Sequence, residues 1–147
     1  MIIEYNSKYN EEIKDLLVEL QEHIVNIDKL KYNIITDKYR EDYFKETMNE
    51  VTKYQGKIYL YQEDNRIIGL IIGLINNEEE HQSGFTCPKR GRITELVVTK
   101  KTRSKGIGTL LLNKMTEYLK KENCKDILIG VFGYNEQAIK FYEKNGY

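Results

Sequence analysis

Hydrophobic and polar positions alternate with different periods along the chain, and each period predicts a kind of element. The run "IIEY" at 2–5 predicts a short first strand. A helix is predicted next, because apolar residues recur at helical spacing between charged ones: Ile13, Leu16, Leu17, Leu20 and Ile24. A weaker helical pattern follows over 37–51, after an irregular, tyrosine-bearing stretch at 26–36.

After Gly56 the period becomes that of strands. Residues 57–62 and 66–75 predict a hairpin, and the second strand is apolar on both faces, so we expect it to be central. The polar residues 76–90 predict a loop, and 92–98 predict another strand.

The last third of the chain alternates between helix and strand. Apolar positions from Ile107 predict a helix that ends near Asn123, and "DILIGVF" at 126–132 predicts a buried strand. Asn135 is a candidate N-cap for a final helix, which Gly146 ends. This order predicts a single α/β (α+β) domain over 1–147 with a mixed sheet flanked by helices.

Composition narrows the class of protein. The 147 residues fit one domain, and 40% apolar with 31% charged residues is a globular balance. Lysine plus arginine equals aspartate plus glutamate, 23 each. This zero net charge argues against bulk attraction to nucleic acid or to an anionic membrane.

Cysteines and histidines offer no sign of a metal site or a disulfide framework. Cys87 and Cys124 lie far apart and are expected to be reduced thiols, while His23 and His81 are too scattered to ligate a metal. No basic leader and no apolar run long enough for a membrane span is present, so we expect a cytoplasmic protein.

The stretch "TRSKGIGTLLL" at 102–112 has the chemistry of an anion site. The first N–H groups of a helix have no internal partner, and the helix dipole adds partial positive charge there. Gly106 and Gly108 would let an oxygen approach these amides, and Arg103 and Lys105 add full charges. No Gly-Lys-Ser/Thr occurs, and Leu111 stands where a dinucleotide fingerprint needs glycine. A merely solvated basic turn is the alternative.

Two motifs resemble those of the GNAT superfamily of N-acetyltransferases. "RSKGIG" at 103–108 is similar to its acyl-CoA loop, Arg/Gln-x-x-Gly-x-Gly/Ala, and "NEQAIKFYEKNGY" at 135–147 looks like its Asn-x-x-Ala-x-x-Phe-Tyr motif. The close match covers 92–147. It implies a mostly antiparallel sheet, splayed between the strands at 92–98 and 126–132, with acetyl-CoA in the wedge as co-substrate.

The resemblance also implies where the cofactor lies. The pantetheine arm would pair with the strand near Val97 and Val98 and pass Asn135, and the pyrophosphate would sit on the helix start. The implied cofactor-binding residues are Val97, Val98, Arg103, Ser104, Lys105, Gly106, Ile107, Gly108, Thr109, Asn135 and Tyr142. The family continues with one or two C-terminal strands. We therefore expect a further segment or a partner chain, as in a homodimer, to complete the sheet and one wall of the acceptor site.

Transfer to an amine needs the neutral amine, which for a lysine-like group costs about 4.6 kcal/mol at pH 7. Glu95, on the strand that holds the cofactor, is the expected acceptor-side carboxylate: a base after desolvation, a relay through water, or a holder of the ammonium. A solvent-facing glutamate is the alternative. An oxyanion would be stabilised by the Val97 or Val98 N–H if the strand bulges there.

The resemblance directs the Tyr142 hydroxyl toward the thioester sulfur, where it would be the acid that protonates the leaving thiolate. A purely structural aromatic residue of the core is the alternative.

The loop acids at 78–80 could attract a cationic acceptor or be solvated. The function expected is acetyl transfer to a small-molecule or protein amine. A non-catalytic acyl-CoA sensor stays open, and nucleic-acid binding through "TKKTRSK" is disfavoured by the zero net charge.

Overall fold

The computed structural model describes residues 1–77, 81–103 and 105–147. The helices are α1 (Asn10–Ile27), α2 (Tyr39–Lys53), α3 (Ile107–Lys121) and α4 (Glu136–Lys144). The strands are β1 (Ile2–Glu4), β2 (Lys57–Glu63), β3 (Arg66–Asn76), β4 (His81–Gln82), β5 (Phe85–Thr86), β6 (Arg90–Val98) and β7 (Asp126–Ile129). Within the described ranges, none of the helices has the length and apolar character that a bilayer crossing requires.

Five strands form one sheet in the order β1-β2-β3-β6-β7. The first three pairs are antiparallel and β6–β7 is parallel, which confirms the predicted mixed, mostly antiparallel sheet with β3 at its centre. Helices α1 and α2 pack on one face, and α3 packs on the other with α4 beside it. The mixed α/β fold is therefore the one expected.

Helix α3 approaches the sheet closely over three glycines. A Cβ on Gly69 would lie 3.0 Å from Leu111, one on Gly73 would lie 2.4 Å from Met115, and one on Gly91 would lie 2.7 Å from Leu119. These three α3 residues recur every fourth position, so one ridge of the helix fits a groove of missing side chains. The groove fixes where the N-terminus of α3 meets the end of β6.

Strands β6 and β7 are held together at one end and separate at the other. The Arg90 guanidinium donates to both carboxylate oxygens of Asp126 at 2.9 and 2.7 Å, and pairing continues only as far as Ile93 with Ile129. Beyond that point, within the described residues, no strand pairs with β6 on this side. The predicted splay is thus present.

Two expectations about element bounds were wrong. The strand predicted over 126–132 ends at Ile129, because its partner β6 bulges just after Ile93 and the parallel pairing cannot continue. The loop predicted over 76–90 contains the short β4–β5 hairpin, turning at Gly84 with a φ of 85°. The acids at 78–80 lie outside the described residues.

The glycine groove predicts a steric effect on stability. Gly73→Val places methyl groups where Met115 packs, so the free energy of unfolding should fall by about 1–3 kcal/mol. Gly133→Val is the matched control, because nothing lies within 4 Å of a Cβ there. Urea unfolding followed by circular dichroism measures both. Equal stability of the two variants would contradict the close packing.

Candidate active site

The open side of β6 presents main-chain groups to the splay. The Thr99 N–H donates to the Ile68 carbonyl of β3 at 2.9 Å. Main-chain groups alternate in direction along a strand, so the N–H and C=O of Val97, two residues earlier, also face β3. The main-chain groups of Leu96 and Val98 therefore face the opening. The Val98 carbonyl already accepts a hydrogen bond from Arg103 Nε there, at 3.1 Å.

A cleft of about 430 Å³ lies in the splay, between β6, the start of α3 and helix α4. Its walls contain nine of the residues that the sequence picked out for the cofactor: Val97, Val98, Arg103, Gly106, Ile107, Gly108, Thr109, Asn135 and Tyr142. Two others are not among them. Ser104 lies outside the described residues, and the Lys105 ammonium lies 3.8 Å from a Glu63 carboxylate oxygen, outside the cleft wall.

The start of α3 opens onto this cleft. Gly106 precedes the helix with a φ of 75°, a left-handed conformation that glycine adopts without strain, and a Cβ there would meet nothing within 4 Å. Its carbonyl accepts the first helical bond, from Leu110, at 3.1 Å. The amides of 107–109 precede that bond and have no helical partner.

Gly108 borders both the cleft and helix α4. A Cβ on Gly108 would lie 3.2 Å from the ring of Phe141 on α4. Its missing side chain therefore lets α4 pack against α3 and form the far wall of the cleft. Close packing of the two helices is one reason for glycine at this position, and the expected approach of a ligand oxygen stays a prediction.

The turn between β6 and α3 is held from α1. Glu19 accepts hydrogen bonds from the Thr99 hydroxyl at 3.0 Å and from the Lys100 N–H at 2.8 Å. Sequence reasoning missed Glu19, since its partners lie about 80 positions away.

Sequence reasoning also missed further residues of the cleft wall: Leu20, His23, Leu96, Thr102, Gln137 and Lys144. Lys144 could have been found, because it lies within the second motif on the final helix.

Asn135 and Tyr142 bring α4 into the site. The Asn135 side chain accepts from the Ala138 N–H at 3.2 Å, which confirms the predicted N-cap. Burial raises the pKa of Tyr142 to about 12, with smaller effects from the nearby Glu95 and Tyr147. Among the described residues, none donates to or accepts from the Tyr142 hydroxyl.

A second cavity of about 210 Å³ lies on the α1–α2 side of the splay. It shares five wall residues with the cleft: Leu20, Leu96, Asn135, Ala138 and Tyr142. Its other walls come from α2, through Tyr39 and Tyr43, and from the turn after β7. The two spaces meet at Tyr142.

Glu95 lies in this second cavity because β6 bulges. Ile72 pairs with Glu95 and Gly73 with Ile93, so Thr94 is an extra residue. Ile93 faces α3, whereas Glu95 lines the cavity beside α1 and α2 and is only 8% exposed. The solvent-facing alternative for Glu95 is therefore wrong.

Burial sets the protonation of Glu95. It raises the pKa of the carboxyl from 4.5 to about 7, and the charge of Glu50 adds to this effect. Tyr43 opposes them, because its hydroxyl donates a short hydrogen bond to Glu95 Oε1 and favours the carboxylate. Tyr43 stacks on Tyr39, with ring centroids 5.0 Å apart. Burial and the Glu95 charge raise the pKa of both phenols.

Solved structures share this fold along the whole chain. The F44R mutant of BH1408 protein from Bacillus halodurans matches with a TM-score of 0.85 and 20% identity, covering 100% of this chain and 92% of that one. The aminoglycoside acetyltransferase AAC(6')-Iy, in complex with the bisubstrate analog CoA-S-monomethyl-acetylneamine, matches with a TM-score of 0.72 and 14% identity, covering 100% and 89%.

Sequence comparison gives the family. An uncharacterized N-acetyltransferase of Methanocaldococcus jannaschii, MJ1530, is 32% identical over 64% of this chain, and the chain spans about half of that relative, 54%. The profile of the Acetyltransferase (GNAT) family matches residues 23–147, which include the splay, the α3 loop and α4. The chain belongs to the GNAT acetyltransferase family.

Proposed function

We propose that this protein transfers the acetyl group of acetyl-CoA to a primary amine by direct attack in a ternary complex. The observation that carries the proposal is the meeting of two cavities at Tyr142, with a buried carboxylate in one and unpaired helix amides in the other. The complex of AAC(6')-Iy with a CoA-linked bisubstrate analog supports this pairing of sites in a chain of the same fold.

The residues of the cleft suit a coenzyme A diphosphate. The amides of 107–109 and the N-terminal end of the α3 dipole would bind the pyrophosphate, and Gly106 leaves the approach open. Arg103 and Lys144 add positive charge to the same wall. The main chain of Leu96 and Val98 would hold the pantetheine arm, which when bound supplies the activated acetyl thioester.

Glu95 is the proposed proton acceptor for the amine. An ordinary carboxyl lies about six pKa units below an alkylammonium, whereas a pKa of about 7 removes a sizeable part of that gap. Near neutral pH, Glu95 exchanges readily between its ionised and protonated forms. The ionised carboxylate first holds the ammonium and then takes a proton from it.

Tyr142 is the proposed acid for the departing sulfur. Its pKa of about 12 keeps the hydroxyl protonated, and it lies where the two cavities join. The N–H of Val97 or Val98 is the expected oxyanion donor. Pairing with β3 is regular at Val97 and Val98, and the bulge lies at Thr94. Of those two residues only Val98 turns its N–H toward the opening, together with Leu96, so these amides are the proposed donors.

The cofactor site is tested by reversing one charge. Arg103→Glu should weaken coenzyme A binding by about 10–100-fold, because a carboxylate replaces a guanidinium at the cleft wall. Lys101→Glu is the matched control: the same charge change, two residues away, on an exposed side chain that does not line the cleft. Isothermal titration calorimetry measures both affinities. Equal weakening would mean that only net charge matters and would contradict this placement.

The catalytic role of Glu95 predicts opposite effects on activity and stability. Glu95→Gln cannot accept a proton, so kcat/KM for amine-dependent thiol release should fall at least 100-fold while coenzyme A affinity is kept. Tight coenzyme A binding by the unaltered protein without thiol release from any amine would instead favour the acyl-CoA sensor.

The sign of the stability change follows from linkage. The folded-state pKa of Glu95, about 7, exceeds the ordinary 4.5, so the folded protein loses stability as the pH rises through this window. Above pH 7 the loss approaches about 3 kcal/mol. Glu95→Gln does not ionise, so at pH 8 its free energy of unfolding should exceed that of the parent, and the difference should vanish near pH 4.5. A difference that does not change with pH would contradict the burial of the charge.

The hydrogen bond from Tyr43 to Glu95 predicts that removing it shifts the pH dependence of kcat/KM. Tyr43→Phe removes the hydrogen bond that favours the carboxylate, so the pKa of Glu95 rises, by roughly one unit for one hydrogen bond. The midpoint of kcat/KM against pH should move upward, and activity should recover at high pH. Tyr39→Phe keeps the ring stack without touching that bond and should leave the midpoint in place. A uniform loss with an unmoved midpoint would mean that Tyr43 is only structural.

A further inference from the structure

The second cavity carries one charge. Glu95 is the only ionisable carboxyl or cationic group among the described residues that line it. The rest of the wall is uncharged: it combines apolar side chains, such as Leu20 and Ile24, with polar ones, such as Gln21 and Asn135. A buried carboxylate is costly unless a cation meets it, and a second cation in the same space would find no carboxylate in the wall.

Aromatic rings surround the one carboxylate. Tyr39 and Tyr43 stack at one side of the cavity, and Tyr142 closes the other. Ring faces attract an ammonium and also pack against hydrocarbon, so this wall suits a cation that is attached to an apolar stem.

Among the described residues, two carboxylates of α2 lie near the cavity but do not line it. Glu46 and Glu50 on α2 act on the tyrosines through space, but neither lines the cavity, and Glu50 lies 3.9 Å from the Arg92 guanidinium. On the side of the β7 turn, the Lys29 ammonium lies 5.4 Å from the centroid of the Tyr134 ring. That ring contacts Phe132 of the cavity wall, so one positive charge lies near this side.

Hydrogen bonds hold the loop that follows α1 beside the cavity. Asp28 accepts hydrogen bonds from three main-chain amides of this loop, those of Leu30, Tyr32 and Asn33. Gln21, which lines the cavity, donates to the Ile34 carbonyl at 3.2 Å. The side chains of Leu30 and Ile34 are 57% and 62% exposed. The loop therefore exposes two apolar side chains to solvent on the side of the cavity that Gln21 lines.

Resting on the proposed function, we propose that the acceptor is a primary amine with a single positive charge, whose ammonium binds Glu95 and whose apolar stem packs on Tyr39, Tyr43 and Ile24. Polycationic amines are then poor acceptors. An alkyl or arylalkyl monoamine has this chemistry, and so does the N-terminus of a peptide with an apolar first residue.

The test compares acceptors that differ by one charge. Hexylamine and 1,6-diaminohexane have the same six-carbon stem, and we expect kcat/KM for thiol release from acetyl-CoA to favour hexylamine at least 10-fold. A peptide that begins with Phe should likewise exceed one that begins with Lys. The faster of hexylamine and the Phe peptide identifies the source. Equal or better use of the diamine, or of an aminoglycoside, would overturn the proposal and leave the proposed function standing.

A designed switch makes the test stricter. Ile24→Glu adds a second carboxylate to the wall, so the ratio of kcat/KM for diamine over monoamine should rise at least 10-fold relative to Ile24→Gln, the uncharged variant of equal size. An unchanged ratio would contradict the charge argument. Calorimetry of both amines with the coenzyme A complex reports the same order without turnover. If no amine releases thiol, the proposed function fails, and the binding order still decides the acceptor class.

Discussion

The extra residue in β6 is the constraint on which the site depends. Without a bulge at Thr94, side-chain alternation would put Glu95 on the same face as Ile93, against α3. With it, Glu95 reaches the opposite face beside α2. The same irregularity lies where pairing with β7 stops, after Ile93 and Ile129. One inserted residue thus both opens the wedge and aims the carboxylate into it.

The ionised carboxylate of Glu95 destabilises the folded protein. Among the described residues, no cation meets Glu95, which is 8% exposed, and the Tyr43 hydroxyl is the one group that donates a hydrogen bond to it. That hydroxyl comes from α2, a helix whose only fully buried residue is Thr47. Helix α2 meets α1 through apolar side chains and through ion pairs: Phe44 packs on the core that α1 shares, and Arg40 contacts Glu11 and Asp15 at 2.9 and 3.0 Å. Such a cost at a single polar group is what a proton-transfer site requires.

The sequence allowed much of the cofactor side to be predicted and little of the acceptor side. Apolar periodicity marked β3 as central, and the two local motifs located the α3 turn and α4. Both signals lie within short stretches of chain. The Tyr43–Glu95 contact joins residues 52 positions apart, and the bulge that creates it depends on the pairing of β6 with β3. No local pattern encodes either one.

The same limit applies to contacts of single residues. Lys105 looked like a phosphate ligand because of its neighbours, but its side chain lies near Glu63, the last residue of β2. Gly108 looked like an opening for a ligand, but the ring of Phe141 occupies the space beside it. In both cases the sequence supplied the correct residue type, and tertiary packing decided its use.

Glu95 and Tyr142 are coupled in a way that fits the proposed order of proton transfers. The negative charge of Glu95 contributes to the raised pKa of Tyr142. When Glu95 accepts the proton of the amine, that charge disappears and the pKa of Tyr142 falls. The phenol therefore becomes a stronger acid after the base has acted, which is when the sulfur leaves. The environments of the two groups give them different pKa values, and the first proton transfer lowers the pKa of the group that makes the second.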